Sequence, residues 1–465
     1  MSIKTKEGLA QKIRRAVHRD EQKRSGFKRE LNTWQLSMLT LGGIMSSGLF
    51  LAGGTAIRRA GPSVLLTYLF GFLLMAFEMI ALVEMTASDP VPGSIYVYAD
   101  RALGQRWSFT MGWVFWFSSL TTMSTEVTAA ALFSQYWFPA VPIWFFSLAY
   151  TLLVVVVNLL SVRGYAEIQQ WFSIVKVVAV GLFILLGGAY FLSLFGHPPS
   201  PYLTHSPGGF FPAGLAGLAG SLPLIMYGYA GTGSISLAAA ETVKPRHTTP
   251  ATLRSVIITV GLLYLGSALL LTSIFPWNVS PTHRSPFVFA LHRMGIPYAG
   301  AVFNFVIITA VLSSMNAALY GVGRMLYSLA KDDQAPRWFA HLNTRSIPQR
   351  AILASSVFLV LGVILAFLLP RQAYVFLSTG TGTMGMLIWI FIIASQIRYR
   401  AGIKDRLAVR TPWFPWLSWI AIAGIVVVYV GALAVPDEAI GLAGGLGISA
   451  LFLVAFSVVK KIRSA

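Results

Sequence analysis

Twelve long apolar stretches, separated by short polar segments, constrain the fold of this 465-residue chain more than any other feature. A helix needs about 20 mostly apolar residues to cross a bilayer, and each stretch is close to or above that length. We therefore predict an all-α polytopic membrane protein with twelve transmembrane helices, called spans 1 to 12 in chain order. They cover residues 34–54, 63–88, 107–137, 141–162, 168–195, 211–240, 251–275, 298–330, 351–369, 373–397, 412–434 and 439–459.

The composition excludes several other classes. Only 11% of the residues are charged, whereas soluble proteins carry about 25%. The chain has no cysteine, which excludes disulfides, thiolate metal sites and a disulfide-linked accessory subunit. The first apolar stretch follows 33 polar residues and has no small-residue cleavage site, so we interpret it as a span and not as a signal peptide.

The positive charge is distributed unevenly between the two faces of the predicted bundle. Of the 35 Lys and Arg residues, 28 lie in the two tails and in the loops after even-numbered spans, and only five lie in the opposite loops. Because Lys and Arg concentrate in cytoplasmic loops, both termini are predicted to be cytoplasmic. The net charge of +19 thus reflects membrane topology, and nucleic acid is not an expected partner.

Two spans are interrupted by glycine and hydroxyl residues near mid-depth. Span 1 contains the stretch 41–50, LGGIMSSGLF, and span 6 has Pro223 followed by the stretch 227–234, YGYAGTGS. Spans five apart that share such interruptions indicate an inverted repeat with a binding site between them. Unwound backbone offers N–H groups to a carboxylate and carbonyl groups to an ammonium. The alternative is that these glycines only allow close helix packing.

At these residues the chain resembles the amino acid permease branch of the amino acid–polyamine–organocation (APC) superfamily. The resemblance runs in order from about Leu31 to Arg400 and is carried by the stretches 42–50, 60–63, 92–94, 135–139, 158–163 and 312–330. It implies a 5+5 inverted repeat of the leucine-transporter type and alternating access. The expected divisions are a basic tail at 1–33, spans 1–5 at 34–195, spans 6–10 at 211–397, spans 11–12 at 412–459 and a tail at 460–465.

The resemblance also implies an amino acid site between spans 1 and 6. The substrate carboxylate would meet Ser47 and Gly48, its ammonium would meet carbonyl groups of both interruptions, and Tyr227 would be an aromatic gate. The branch usually has an acid where this chain has Gly233, which leaves any selectivity dependent on that acid in question. The expected substrate-binding residues are Ile44, Ser46, Ser47, Gly48, Tyr227, Gly228, Ala230, Gly231 and Thr232.

Two ionisable residues near mid-membrane are candidates for proton coupling. Lys176 is the only lysine within a span, and by resemblance it points at the unwound part of span 1, with Ser313 and Ser314 on the opposite wall. Burial disfavours a charged lysine, so it either exchanges a proton or is a permanently charged strut. Glu126 is either a proton site, a replacement for the acid missing at Gly233, or a neutral carboxyl bonded to neighbours such as Thr122 or Thr125.

Other charges lie toward the cytoplasmic ends of their spans. Glu84, Glu241 and Arg324 have the depth expected of an inner-gate salt-bridge network. Glu78 in span 2 is unusual for the branch, and the sequence offers no explanation for it.

The sequence does not favour an enzyme. All seven histidines fall in the tail or loops, no pair has metal-ligand spacing, and no Gly-x-x-x-x-Gly-Lys nucleotide loop is present. We predict a proton symporter of neutral amino acids in a bacterial cytoplasmic membrane, without a cofactor and driven by the proton gradient. Alternatives are an amino acid exchanger and a non-transporting amino acid sensor. Spans 11 and 12 are candidates for a homodimer contact.

Overall fold

The computed structural model describes residues 31–91, 94–160, 165–194, 202–203, 206–239, 242–343, 347–368 and 373–464. Within these ranges the chain is built of helices, with one isolated β-bridge between Leu31 and Thr242. The helices are α1 (Thr33–Ile44), α2 (Gly53–Ala60), α3 (Val64–Ser88), α4 (Ser94–Leu103), α5 (Gln105–Ser134), α6 (Ile143–Leu160), α7 (Tyr165–Phe191), α8 (Gly214–Gly228), α9 (Ser234–Ala239), α10 (Pro245–Ile274), α11 (Pro286–Arg293), α12 (Ala299–Lys331), α13 (Gln349–Leu368), α14 (Ala373–Ile403), α15 (Trp416–Leu433) and α16 (Pro436–Ser464).

Each of the twelve predicted stretches contains helix, which confirms the all-α apolar architecture. Among the described residues, seven helical segments are long and apolar enough to cross a membrane, and three shorter apolar helices accompany them. Helix α5 is 30 residues long but is not one of these ten, because Ser and Thr residues and Glu126 make it more polar. The count of twelve spans and the inverted repeat remain predictions.

The two glycine-rich stretches interrupt their helices as the sequence suggests. Helix α1 ends at Ile44, Met45 leaves the helical region with ψ of 86°, and a single π-helical turn at Gly48–Ala52 leads into α2. Helix α8 ends at Gly228, and the chain turns through residues 229–233 before α9 begins. We call residues Met45–Ser47 the first break and residues Tyr229–Gly233 the second break.

Glycine is required where the two interrupted helices cross. A Cβ added to Gly48 would lie 2.4 Å from the Cα of Gly228, so a larger residue would push the backbones apart. Gly231 has a positive φ of 91°, and its Cβ would lie 2.4 Å from the carbonyl oxygen of Gly43. These close contacts hold the two breaks against each other at the centre of the bundle.

The outside of the bundle is apolar. Large exposed hydrophobic side chains cover the outward faces of α6, α7, α13, α15 and α16, as expected for surfaces that face lipid and not water. Examples are Leu152, Trp171, Leu182, Leu185, Val357, Phe367, Trp416, Val430, Leu451 and Val454. With the apolar helices, this surface identifies a multi-pass membrane protein.

Four buried rings pack beside the π-helical turn. Phe50 contacts Phe287 edge to face at 5.6 Å between centroids, Phe183 contacts Phe287 at 4.7 Å, and Phe287 stacks on Phe303 at 5.6 Å. These rings, called the phenylalanine cluster, join the interrupted helix to α7, α11 and α12. Beside them, every residue from Ile44 to Ile57 is buried, so this end of the central site is closed.

Candidate functional site

A buried carboxylate lies on the first break. Both Glu126 oxygens accept from the Ser47 backbone N–H, at 3.3 and 3.1 Å, and Oε1 also accepts from the Ser47 hydroxyl at 3.0 Å. The Tyr227 hydroxyl donates to Oε1 as well and lies 3.0 Å from the Ser47 hydroxyl. Glu126 is therefore an acceptor for donors from both interrupted helices. The side chains of Thr122 and Thr125 bond instead to carbonyls of their own helix.

Two tyrosines that the sequence analysis did not single out satisfy carbonyl groups of the interrupted helices. Tyr264 on α10 donates to the carbonyls of Ile44, at 3.1 Å, and Gly228, at 3.0 Å. Tyr374 on α14 donates to the Ser47 carbonyl at 2.9 Å. The Ile44 carbonyl expected to meet a substrate ammonium thus has a protein partner here. Nothing in the sequence distinguishes these tyrosines from others in apolar helices.

Lys176 lies on the other side of the first break. Its ammonium donates to the Gly42 carbonyl at 2.9 Å and to the Ser314 hydroxyl at 2.8 Å. The Ser314 hydroxyl also lies 3.0 Å from the Gly42 carbonyl and 3.1 Å from the Met45 carbonyl. Ser313 bonds separately to the Gln169 side chain at 2.9 Å. Of the two serines expected at this wall, only Ser314 contacts the lysine.

Lys176 and Glu126 thus bond near the two ends of the first break, Lys176 to Gly42 before it and Glu126 to Ser47 at its last residue. Both side chains have 0% exposure, and the ammonium and the carboxylate interact electrostatically. An isolated charge in this setting costs several kcal/mol, whereas an opposite charge with good hydrogen bonds offsets part of that cost. Two buried ionisable side chains of opposite charge type therefore bond to the chain at and beside the first break.

The second break is partly open. Gly231 is exposed and Gly43 is half-buried, in contrast to the closed end beside the phenylalanine cluster. Thr232 is buried, with 2% exposure. The Ala230 N–H donates to the Tyr227 carbonyl at 3.1 Å, and the Gly48 N–H lies 3.3 Å from the Ser46 hydroxyl. Gly231 is therefore the open side of the site.

Comparison with known proteins identifies the family of the chain. The family model for amino acid permeases matches residues 35–459. The chain belongs to the amino acid permease family. Members of this family are transporters and not enzymes, so the family resemblance noted in the sequence and the exclusion of catalysis are both confirmed.

Individual bacterial permeases are similar over most of their length. The chain is 34% identical to the γ-aminobutyric acid permease of Bacillus subtilis (strain 168) over 453 residues, which is 95% of each chain. It is 35% identical to a probable γ-aminobutyric acid permease of Pseudomonas aeruginosa over 418 residues, 87% of this chain and 86% of that one. It is 33% identical to the L-asparagine permease of Escherichia coli (strain K12) over 414 residues, 87% and 83% respectively.

Two of the three residues expected at the inner gate of this permease, Glu84 and Arg324, lie within the described residues. Glu84 accepts from the Gln396 side chain at 2.9 Å and lies 3.4 Å from an Arg400 nitrogen. Arg324 stacks on the Tyr320 ring, with its guanidinium carbon 3.9 Å from the centroid. Glu241 lies outside the described residues.

A second charged group at the same end of the permease escaped the sequence analysis. The Arg101 guanidinium donates to Asp89 at 2.6 Å and to the Tyr399 hydroxyl at 2.8 Å, and Tyr399 itself donates to Asp89 at 2.6 Å. These contacts join α4 to α14. The part of the chain that the structure describes contains no group of three His, Cys, Asp or Glu able to hold a metal ion.

Proposed function

We propose that this protein imports neutral L-amino acids together with protons, by alternating access, across a bacterial cytoplasmic membrane. Its relatives support the substrate class, because they are named as permeases of γ-aminobutyric acid and L-asparagine, and both compounds carry no net charge near neutral pH. The charge distribution supports cytoplasmic termini, and the paired breaks support a 5+5 inverted repeat with two further helices.

The observation that carries proton coupling is the position of the Glu126 carboxylate. It occupies the Ser47 N–H at the start of the second part of the interrupted helix, where a substrate carboxylate would bind. Two carboxylates cannot share one N–H donor at close range without strong repulsion. In the proposed cycle, protonation neutralises Glu126, weakens its hold on Ser47 and frees the N–H and hydroxyl for the substrate.

Lys176 supports this exchange from the opposite side of the break. Its bonds to Gly42 and Ser314 hold the end of α1 in place, and its charge favours the ionised form of Glu126. When Glu126 takes a proton, a substrate carboxylate at Ser47 replaces its negative charge. The charge beside the lysine is then the same before and after substrate binding.

The unequal exposure of the two ends supports alternating access. The end lined by the phenylalanine cluster is closed and the end at Gly43 and Gly231 is partly open, which supports an inward-facing state if the termini are cytoplasmic. Opening to the outside then requires movement of the interrupted helices relative to α5, α7, α12 and α14.

Uptake into proteoliposomes tests the proposal. Radiolabelled asparagine and γ-aminobutyric acid, then other amino acids singly, are supplied with and without an inward proton gradient. We expect the gradient to drive accumulation, and Glu126→Gln to abolish accumulation while substrate binding loses its pH dependence. Uptake only into liposomes preloaded with amino acid would identify an exchanger. Binding without flux, by folded protein, would identify a sensor.

A further inference from the structure

A second buried carboxyl has none of the partners of Glu126. Glu78 lies on α3 with 0% exposure, and neither of its oxygens has a hydrogen-bond partner among the described residues. The hydroxyl that interacts with it belongs to Thr232, without reaching the geometry of a full hydrogen bond. The carboxyl therefore faces the second break, next to Gly233.

The nearby arginine and tyrosine side chains that the structure describes bond elsewhere. Toward one end of α3, Tyr229 donates to the Tyr68 carbonyl, ten residues or about 15 Å from Glu78 along the helix. Toward the other end, Arg400 lies beside Glu84, six residues or about 9 Å away. On α10, Tyr264 donates to the carbonyls of Ile44 and Gly228, the last residues of α1 and α8. None of these bonds reaches Glu78.

Burial without a cation determines the form of this carboxyl in the observed conformation. An ionised carboxylate in an apolar interior without hydrogen bonds is far less stable than its protonated form, so such groups take up a proton. Glu78 is thus neutral in this conformation. Any movement that admits water or a cation beside α3 would favour loss of that proton.

Thr232 connects this carboxyl to the open side of the site. It lies in the second break directly after Gly231, which is exposed, and its hydroxyl can both donate and accept a hydrogen bond. Movement of α9 relative to α3 would change the distance between Thr232 and Glu78. The protonation of Glu78 is therefore linked to the conformation of the second break.

We propose that Glu78 is a second proton-carrying site of the transport cycle, separate from Glu126, and that the Thr232 hydroxyl relays its proton: the hydroxyl oxygen accepts the proton from the Glu78 carboxyl while its own proton passes to water at the open end of the site. This inference rests on the proposed proton-coupled function. It assigns to Glu78 the coupling of proton release to the position of α9, and it assigns substrate binding to other residues.

Transport by matched variants tests the assignment. In Glu78→Gln, we expect asparagine counterflow and the asparagine Kd to stay near the wild-type values, while gradient-driven accumulation falls to the level reached without a gradient. In Thr232→Val, we expect gradient-driven accumulation to fall to the same level. Thr232→Ser keeps the hydroxyl and should retain accumulation. Full accumulation by Glu78→Gln would overturn the proposal, and so would a weakened Kd, because Glu78 would then be a substrate contact.

Infrared spectroscopy tests the proton itself, independently of transport. The difference spectrum between wild type and Glu78→Gln at neutral pH should contain the carbonyl band of a protonated carboxyl, and this band should decrease when substrate is added. Absence of the band would show that Glu78 is ionised and would overturn the inference. A wild type that has the band but no gradient-driven uptake would refute the proposed symport while leaving the protonated state of Glu78 established.

Discussion

Glu126 and Glu78 are two buried carboxyls, both with 0% exposure, and their surroundings are opposite. Glu126 accepts bonds from Ser47 and Tyr227 and has Lys176 as a counter-charge. Glu78 has neither a bond nor a cation among the described residues. The difference shows that burial alone does not determine what a membrane-embedded acid does, because the donors around it decide which protonation state the fold stabilises.

The most direct test of this difference is to remove each carboxyl in turn. Glu126→Leu leaves Ser47 and Lys176 without their partner and should destabilise the fold by about 3–5 kcal/mol. Glu78→Leu removes an unpartnered polar group and should stabilise it by about 1–3 kcal/mol. Thermal unfolding in detergent measures both, and shifts of the same sign would contradict the contrast.

Removal of the Lys176 ammonium should have the next largest effect. Lys176→Met leaves Glu126 as an uncompensated buried anion, at a cost of about 3–5 kcal/mol, so we expect initial uptake to fall by about 100-fold or more. The exposed Lys331, which lies over the Tyr327 ring, provides the control Lys331→Met. A modest loss in Lys176→Met would mean that the Glu126 charge does not depend on this lysine.

The Tyr227 hydroxyl provides a further test of how the donors around Glu126 act. Tyr227→Phe removes one charged hydrogen bond to Glu126, worth about 1.5–3 kcal/mol, and should shift the asparagine Kd by about 10- to 100-fold. Tyr229→Phe is the matched control, because its hydroxyl donates to the Tyr68 carbonyl and not to Glu126. Isothermal titration of asparagine measures both variants, and equal shifts would remove the special role of Tyr227.

The smallest effect is expected at Ser314, which bonds to Lys176. Ser314→Ala removes one of the two bonds that Lys176 makes and should slow uptake by about 5-fold, corresponding to about 1 kcal/mol. Ser313→Ala leaves the lysine bonded and should change uptake less. If Ser313→Ala has the larger effect on the initial rate, Lys176 is held by other groups than the structure indicates.

The sequence predicts the apolar helices and the family well, because both depend on patterns local to the chain. Glycine at Gly48 and Gly231 marks the breaks, since backbone contact and a positive φ both favour it. Sequence patterns do not predict which residues contact each other within the site. Ser47 and Glu126 are 79 positions apart, and Glu84 contacts Arg400 across more than 300, so only tertiary packing brings them together.

Two tyrosines of the site could not be predicted from the sequence either. Tyr264 and Tyr374 donate hydrogen bonds to carbonyls of the interrupted helices. Each lies in a long apolar helix, and the neighbouring residues give no indication of this role. Glu78 could be recognised in the sequence as unusual, but its lack of partners is a property of the packed bundle and not of the chain.

The phenylalanine cluster has a consequence for how uptake depends on temperature. In the proposed alternating access, opening that end of the site would separate Phe50 and Phe183 from Phe287 and expose ring surface to water. Newly exposed apolar surface raises the heat capacity, so the enthalpy of opening grows with temperature. An Arrhenius plot of uptake should therefore be curved when this opening limits the rate, and the curvature measures the ring area that each transport cycle exposes.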